Sequence, residues 1–327
     1  MPTVVVTGSA GFIGSNLVDE LLSRGCRVIG IDNLSMGSPD NFRHLVNHPA
    51  FAFHQVDVRD FAALRAACGG AAIIVHLAAY KIPRYGGALE TLLVNSAGAE
   101  HVLRIAQENG SKAVLASTSD IYGKSPKLPF AEGDDSILGP SIIPRWSYAV
   151  SKLFEEHLAW AYRDAYNLPV VVLRFFGSYG PREHRSWWGG PQAAFIEAVL
   201  SGQEIEIHGD GRQTRSFTYV SDTVRGIILA MECEQAPGEV FNIGSEEEIS
   251  ILDLAHLIGR LAGGPREPRL RFIPYSSIGK APYEDVRRRV PDTTKARTVL
   301  GFSCRVPLEE GLARTIAWHR EVRKRSP

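Results

Sequence analysis

Thr7-Gly-Ser-Ala-Gly-Phe-Ile-Gly14 lies directly between the apolar run Val4-Val5-Val6 and the amphipathic Ser15-Asn-Leu-Val-Asp-Glu-Leu-Leu22. A strand, a glycine turn and a helix in so short a span restrict the fold more than any other stretch of the chain. Such a unit opens a parallel α/β sheet and binds a dinucleotide pyrophosphate: Gly8 permits the tight turn, Gly11 lets backbone N–H groups reach the phosphates, and Gly14 lets helix and strand pack closely. The helix N-terminus adds unpaired donors and the positive end of a dipole. Arg27-Val-Ile-Gly-Ile31 reads as the second strand and Asp32 closes it, placed to accept hydrogen bonds from an adenosine ribose diol. A 2′-phosphate would meet that carboxylate, and Asn33-Leu34 offers no arginine to hold it, so NAD is expected rather than NADP.

The rhythm continues along the chain. Phe51 to Val56, Ala72 to His76, Ala113 to Ser117 and Val170 to Phe175 are short apolar runs, as expected of a sheet buried on both faces. Asp60 to Cys68, Gly87 to Asn109 and Ser147 to Tyr166 carry helical periodicity between them, and Asn109-Gly110 is a helix stop. The spacing predicts a doubly wound Rossmann-type α/β fold. After about residue 176 glycine and proline pairs break the chain into shorter elements, with helices expected at 192–201, 221–232, 250–262 and 308–323. We therefore expect an NAD-binding domain over 1–176 and a smaller α/β substrate lobe over 177–327, with late segments free to return to the first domain. Asp57-Val58 follows the third strand, where Asp57 either meets the adenine amino group or is a solvated loop residue.

Charge excludes some partners. With 36 basic and 36 acidic side chains there is no global field to hold nucleic acid or an anionic membrane, so an anionic ligand must be held by local arginines. Cys26, Cys68, Cys233 and Cys304 are widely spaced and no apolar run is long enough to span a bilayer, and no leader is expected ahead of the first strand. A reduced cytoplasm is the expected setting, with no membrane partner. His44 and His48 have helical spacing but no further ligands, and no metal site is expected.

The chemistry-bearing motif is Tyr148-Ala-Val-Ser-Lys152. It puts a phenol and an ammonium on one face of a helix, where the lysine charge depresses the tyrosine pKa and makes it a base for a hydroxyl proton. Thr118, at the end of the run Ala113 to Ser117, can join the same hydrogen-bond network.

Taken together, TGSAGFIG at the start, HLAA at 76–79, Asn95, STSDIYG at 117–123, YAVSK at 148–152, RFFGSYGPR at 174–182, GDGRQTRSFTYVSD at 209–222 and PDTTKARTVLGF at 291–302 resemble the extended short-chain dehydrogenases/reductases that act on nucleotide sugars. The resemblance covers nearly the whole chain. It implies a tightly held NAD that oxidises sugar carbon 4 to a ketone and later returns the hydride, the events between deciding epimerase, dehydratase or decarboxylase. It implies Tyr148 as base, Lys152 as its activator and ribose ligand, and Thr118 as the hydroxyl bridging to the sugar. It also implies that Phe12, Ile13, Asn33, Val58, Leu77, Ala78, Ala79, Lys81 and Asn95 join the glycines, Asp32 and Asp57 around the cofactor. On the substrate side it implies Arg84, Ser119, Gly177, Arg182, Gln192, Arg215 and Arg289, and a homodimer paired through the helices at 87–109 and 147–166.

Within that resemblance Lys81 matches UDP-galactose 4-epimerases. Arg215 looks like the diphosphate arginine, or else pairs with Asp210 or Asp222. Gly177 departs from the usual asparagine, and Ala281-Pro282 stands where an arginine is common, leaving Arg287 to Arg289 either to meet phosphates, as in decarboxylase sequences, or to form a solvated turn. Asp120 occupies a position where dehydratases and UDP-glucuronate decarboxylases tend to carry glutamate; it is an acid or base, or it caps a turn. Arg182 either faces a carbon-5 carboxylate or is an exposed loop residue, and Trp187 and Trp188 form a sugar wall or pack the lobe interface. The reading that follows is an NAD-retaining UDP-sugar 4-epimerase with UDP-glucuronate as leading substrate. A decarboxylase or dehydratase is the alternative, and a catalytically silent NAD-binding scaffold is the reading from another class.

Overall fold

The computed structural model describes residues 2–81, 87–263, 268–278 and 283–325. Strand β1 (Thr3–Thr7), helix α1 (Phe12–Ser23) and β2 (Arg27–Asp32) form the opening unit, followed by β3 (Phe51–Gln55), α2 (Phe61–Ala67), β4 (Ile73–His76), α3 (Ala88–Asn109), β5 (Lys112–Thr118), α4 (Trp146–Tyr166) and β6 (Val170–Phe175). The second half adds β7 (Ser178–Tyr179), α5 (Pro191–Leu200), β8 (Ile205–His208), β9 (Thr214–Ser216), β10 (Thr218–Tyr219), α6 (Val220–Glu232), β11 (Val240–Ile243) and β12 (Glu248–Ser250). It ends with α7 (Ile251–Leu261), β13 (Leu270–Ile273), β14 (Arg288–Arg289), α8 (Thr294–Leu300) and α9 (Leu308–Arg325).

Seven strands make one parallel sheet in the order β11-β6-β5-β4-β1-β2-β3. Because strand side chains alternate between faces, Val4 and Val6 enter one core with α1 and α6 while Val5 enters the other with α2 and α3. The strand order reverses between β1 and β4, and in open α/β sheets the crevice beyond such a point is where ligands bind. Elements after residue 176 divide between two places. β11 extends the main sheet beside β6 in register Val240↔Val172 to Ile243↔Phe175, and α8 packs on it. α5, α7 and α9 pack together with the β8–β13 pair, and β12-β9-β14 forms a small sheet over the strand ends.

A buried polar network fastens α4 to the sheet. Arg174 donates through Nε and Nη2 to Glu156 Oε1 and Oε2 at 3.0 and 2.7 Å, and through Nη1 to Tyr122 Oη at 2.9 Å. Ser117 Oγ donates to the same glutamate, and Tyr122 Oη donates to Asn242 Oδ1 at 2.7 Å. One carboxylate thus ties α4, β5 and β6 together and sets the axial position of the helix that carries Tyr148 and Lys152. Among the described residues no helix is long and apolar enough to cross a membrane.

Candidate active site

The glycine turn leaves room for backbone only. Gly8 has φ +72, and a Cβ on Gly14 would lie 2.1 Å from Gly8 O. Asp32 is buried at the end of β2, its Oδ2 accepting from Ala10 N at 3.0 Å and Oδ1 from Leu34 N at 2.8 Å. Each oxygen keeps a lone pair for a ribose hydroxyl. Burial pushes its carboxyl above the usual range, opposed by those two amides. Turn, carboxylate and the α1 N-terminus open on one cleft of about 1490 Å³ that also receives Phe12, Ile13, Asn33, Val58, Leu77, Ala78, Ala79, Lys81, Tyr148 and Lys152. Donors for a diphosphate and, beside them, an acceptor for a diol in one cleft fit an NAD.

Two expected cofactor residues sit differently. Asp57 is turned away onto Arg59, whose Nη2 lies 2.8 Å from Oδ2, and also accepts from Asn33 Nδ2 at 2.8 Å. The Arg59 fork outweighs burial and holds Asp57 well below the ordinary carboxylate range. The Asn95 amide is spent on protein contacts, Oδ1 accepting from Tyr80 N at 2.8 Å and Nδ2 donating to Ser151 Oγ at 2.9 Å, so it braces α3 against α4 instead of lining the cleft.

A second pocket of about 310 Å³ meets the first at Phe12, Lys81, Ser117, Tyr148 and Trp188. Thr118, Ser119, Asp120, Arg145, Gly177, Gln192, Arg215 and Arg289 line it. Tyr148 thus stands at the junction, hydrogen-bonded to the Thr118 side chain, with Lys152 on the cofactor side and Thr118 on the other. Contrary to the reading of the motif alone, the phenol is held above its ordinary pKa: burial is the main cause, and Asp120 and Glu155 add to it. The Lys152 charge is matched by Glu155 Oε2, 3.0 Å from Nζ, on the next turn of the same helix.

Asp120 does not cap the turn after β5. Thr118 does, its Oγ1 accepting from Asp120 N at 3.2 Å. The Asp120 carboxylate instead faces Arg289 at 2.7 Å and Arg145 at 3.4 Å. Burial pushes it up, but Arg289, Arg145 and Arg215 prevail and hold it below the usual range. Arg215 pairs with Asp285 at 2.7 Å; Asp210 takes Arg287 at 3.0 Å, and Asp222 accepts from the backbone of Arg305 and Val306. Strand alternation separates the arginine run: Arg288 faces out to Glu248 at 2.7 Å, while Arg289 turns in and burial pushes its guanidinium down to about 10. Arg145, Arg215 and Arg289 stand against Asp120 and Asp285, which leaves the pocket with an excess of positive charge.

Gly177 has φ +54, and a Cβ there would lie 2.2 Å from Ser216 O, so close backbone approach excludes the usual asparagine. Arg182 is a correction. Its backbone is left-handed (φ +73), its guanidinium pairs with Asp19 at 2.6 Å, and it lines the larger cleft, not the sugar-side pocket. His44 reaches the same Asp19 at 2.8 Å, and no group of three metal-ligating side chains occurs among the described residues. Trp187 both lines the smaller pocket and stacks on His208 at 4.0 Å. Arg84 and the Ala281-Pro282 departure lie outside the described residues. Sequence reading missed Arg145, Glu155 and Asp285. Arg145 was within reach, since it stands one helical turn before Tyr148, whereas nothing local distinguishes the buried Glu155 from its neighbour.

Residues 4–244 match the NAD dependent epimerase/dehydratase family. The chain belongs to that family. It is 36% identical over 320 residues to a UDP-N-acetyl-alpha-D-glucosaminuronate decarboxylase of Bacillus cytotoxicus, covering 97% of this chain and 98% of the relative. Among solved structures it resembles the UDP-glucose 4-epimerase of Thermotoga maritima with UDP-glucose (31% identity, TM-score 0.87, 98% of this chain and 99% of that one). It also resembles the UDP-glucuronic acid 4-epimerase of Bacillus cereus with UDP-glucuronic acid and NAD (30%, TM-score 0.85, 98% and 99%). This member of the epimerase/dehydratase family is therefore an NAD-dependent enzyme of the nucleotide-sugar epimerase and decarboxylase group, on a Rossmann-type fold.

Proposed function

We propose that the enzyme decarboxylates a UDP-hexuronate, UDP-glucuronate first among candidates, through a transient 4-keto sugar. The observation that carries this reading is Asp120, a charged carboxylate held by Arg289 and Arg145 in the pocket beside Tyr148. Epimerisation exchanges only a hydride and a proton at carbon 4 and leaves such a pair without a task, whereas loss of carbon 6 requires a proton at carbon 5. The decarboxylase relative supports it, as does the withdrawal of Arg182 to Asp19, which removes the residue that would have shielded a substrate carboxylate.

An NAD held by Gly8, Gly11, Gly14, Asp32 and Lys152 would supply reversible hydride acceptance at sugar carbon 4. Tyr148 takes the O4 proton. The C5–C6 bond then breaks, its electron pair moving into a C4–C5 enolate as carbon dioxide leaves, while the Tyr148 and Thr118 hydroxyls donate to the enolate oxygen. The Asp120–Arg289 pair carries a solvent proton to carbon 5, and Tyr148 returns its proton to O4. Arg215 and Arg145 meet the diphosphate, where a guanidinium fork suits paired oxygens. The second reading is 4-epimerisation, favoured by Lys81 at the junction of the two pockets. Incubation with UDP-glucuronate and with UDP-N-acetylglucosaminuronate, followed by NMR of the products, decides between them. One equivalent of carbon dioxide with a UDP-pentose is the expected result, and a 4-epimeric uronate without carbon dioxide would reject decarboxylation.

The working unit in this reading is a homodimer. Leu89 and Leu93 on α3 and Val150 and Phe154 on α4 are exposed at turn spacing on helices packed side by side, an apolar face suited to a second copy of itself.

A further inference from the structure

Lys152 is gripped from behind. Tyr148, Lys152 and Glu155 follow one another along α4, and the Lys152–Glu155 ion pair at 3.0 Å is almost wholly buried, with side chains 2% and 3% exposed. Glu155 Oε1 is buried without a hydrogen-bond partner, whereas both oxygens of the adjacent Glu156 are engaged by Arg174. Glu155 lines neither pocket, so it touches no reacting atom and acts on Tyr148 by charge alone, from beneath Lys152.

The charged and titratable groups around this pair are few. From α4 there are Tyr148 and Glu156. From β4 there is His76, whose Nδ1 is hydrogen-bonded to Thr7 Oγ1 at 2.8 Å; burial, helped by Lys152, pushes its pKa down to about 3 and leaves it neutral. Beyond Tyr148 lies Asp120. From α3 comes only the uncharged Asn95, through Ser151.

We propose that Glu155 is a positioning residue that sets how much of the Lys152 charge reaches Tyr148, masking it when ionised and exposing it when protonated while the hydrogen bond to the ammonium persists. At short range in a buried site, one unit of charge gained or lost changes a neighbour's ionisation strongly. Burial pushes the Glu155 carboxyl up to about 7 even against Lys152, so both forms exist near neutral pH. The inference rests on Tyr148 as the base and holds for either product.

The test compares wild-type, Glu155→Gln and Glu155→Asp protein loaded with NAD. Turnover of UDP-glucuronate is followed from pH 5 to 10, and the Tyr148 phenol is titrated by ultraviolet absorbance against Tyr148→Phe, a readout that needs no substrate. In Glu155→Gln the phenol titration and the acid limb of turnover move about one pH unit lower, about tenfold more turnover at a pH on that limb; Glu155→Asp keeps the wild-type profile. A folded Glu155→Gln protein with both curves unmoved overturns the proposal. Should that variant not fold, carbon-13 NMR of wild-type protein must show a glutamate carboxyl titrating between pH 6 and 8 that is missing from Glu155→Asp; its absence overturns the proposal equally. Near-normal turnover by Tyr148→Phe would remove Tyr148 as the base and with it the turnover arm of the test, while a Tyr148 phenol titration unmoved in Glu155→Gln would still overturn the proposal.

Discussion

Two residues separate the possible chemistries. If Asp120 and Arg289 relay the carbon-5 proton, Asp120→Asn lowers kcat by roughly two to four orders of magnitude and leaves KM within about threefold. Steady-state kinetics check this, and unchanged kcat would return Asp120 to a purely electrostatic part in seating Arg289. The sequence left Arg182 either facing a substrate carboxylate or exposed on a loop, and its partner is Asp19 on the cofactor side. Arg182→Ala is therefore expected to shift the affinities for UDP-glucuronate and neutral UDP-hexoses alike. A selective loss of about tenfold or more for the uronate, by calorimetry, would put the guanidinium back at the sugar.

At the scale of elements, the position of α4 depends on Glu156 more than on the helix's own propensity. The carboxylate is buried and binds Arg174 bidentately, and removing one member of a buried pair leaves the other charge uncompensated, typically at a cost of about 3–5 kcal/mol. Glu156→Gln is expected to lose about that much stability in urea unfolding. A loss below about 1 kcal/mol would show that the sheet holds α4 without the network. The run Arg287-Arg288-Arg289 makes a related point: in β14 alternate residues face opposite ways, so one short strand puts a guanidinium on the surface and the next inside the pocket.

For the molecule as a whole, two buried glutamates give stability a pH slope. Burial raises Glu155 to about 7 and Glu183 to about 8, against about 4.3 in an unfolded chain. Between those values the native state binds more protons than the unfolded one, so their contribution to stability is complete below about pH 4.3 and is lost as pH rises through 7 to 8. The double variant Glu155→Gln/Glu183→Gln is expected to gain on wild type steadily from pH 5 to pH 8 in urea titrations; a difference independent of pH would mean that the two carboxyls titrate normally. Assembly belongs to the same scale. Phe154→Glu, on the exposed face of α4, is expected to turn the proposed dimer into monomer in analytical ultracentrifugation, and a wild-type protein already monomeric would remove that face as an interface.

What the chain alone determined is what local backbone chemistry and short spacing can encode. The turn from Gly8 to Gly14, Asp32 at the end of β2, the alternation of buried strands with helices, and Tyr148 one turn before Lys152 each need only neighbours in sequence, and together they were enough for the sheet and the NAD cleft. The tertiary structure decided everything that depends on which charge meets which. Asp120 acquires its partners from positions 145 and 289, Arg182 from position 19 and Arg215 from position 285, and none of these separations leaves a periodic trace. Glu155 and Glu156 are the same residue side by side, yet a helix rotates them about 100° apart, one toward Arg174 and the other beneath Lys152. Ionisation follows burial and the nearest opposite charge, and both exist only once distant segments have packed.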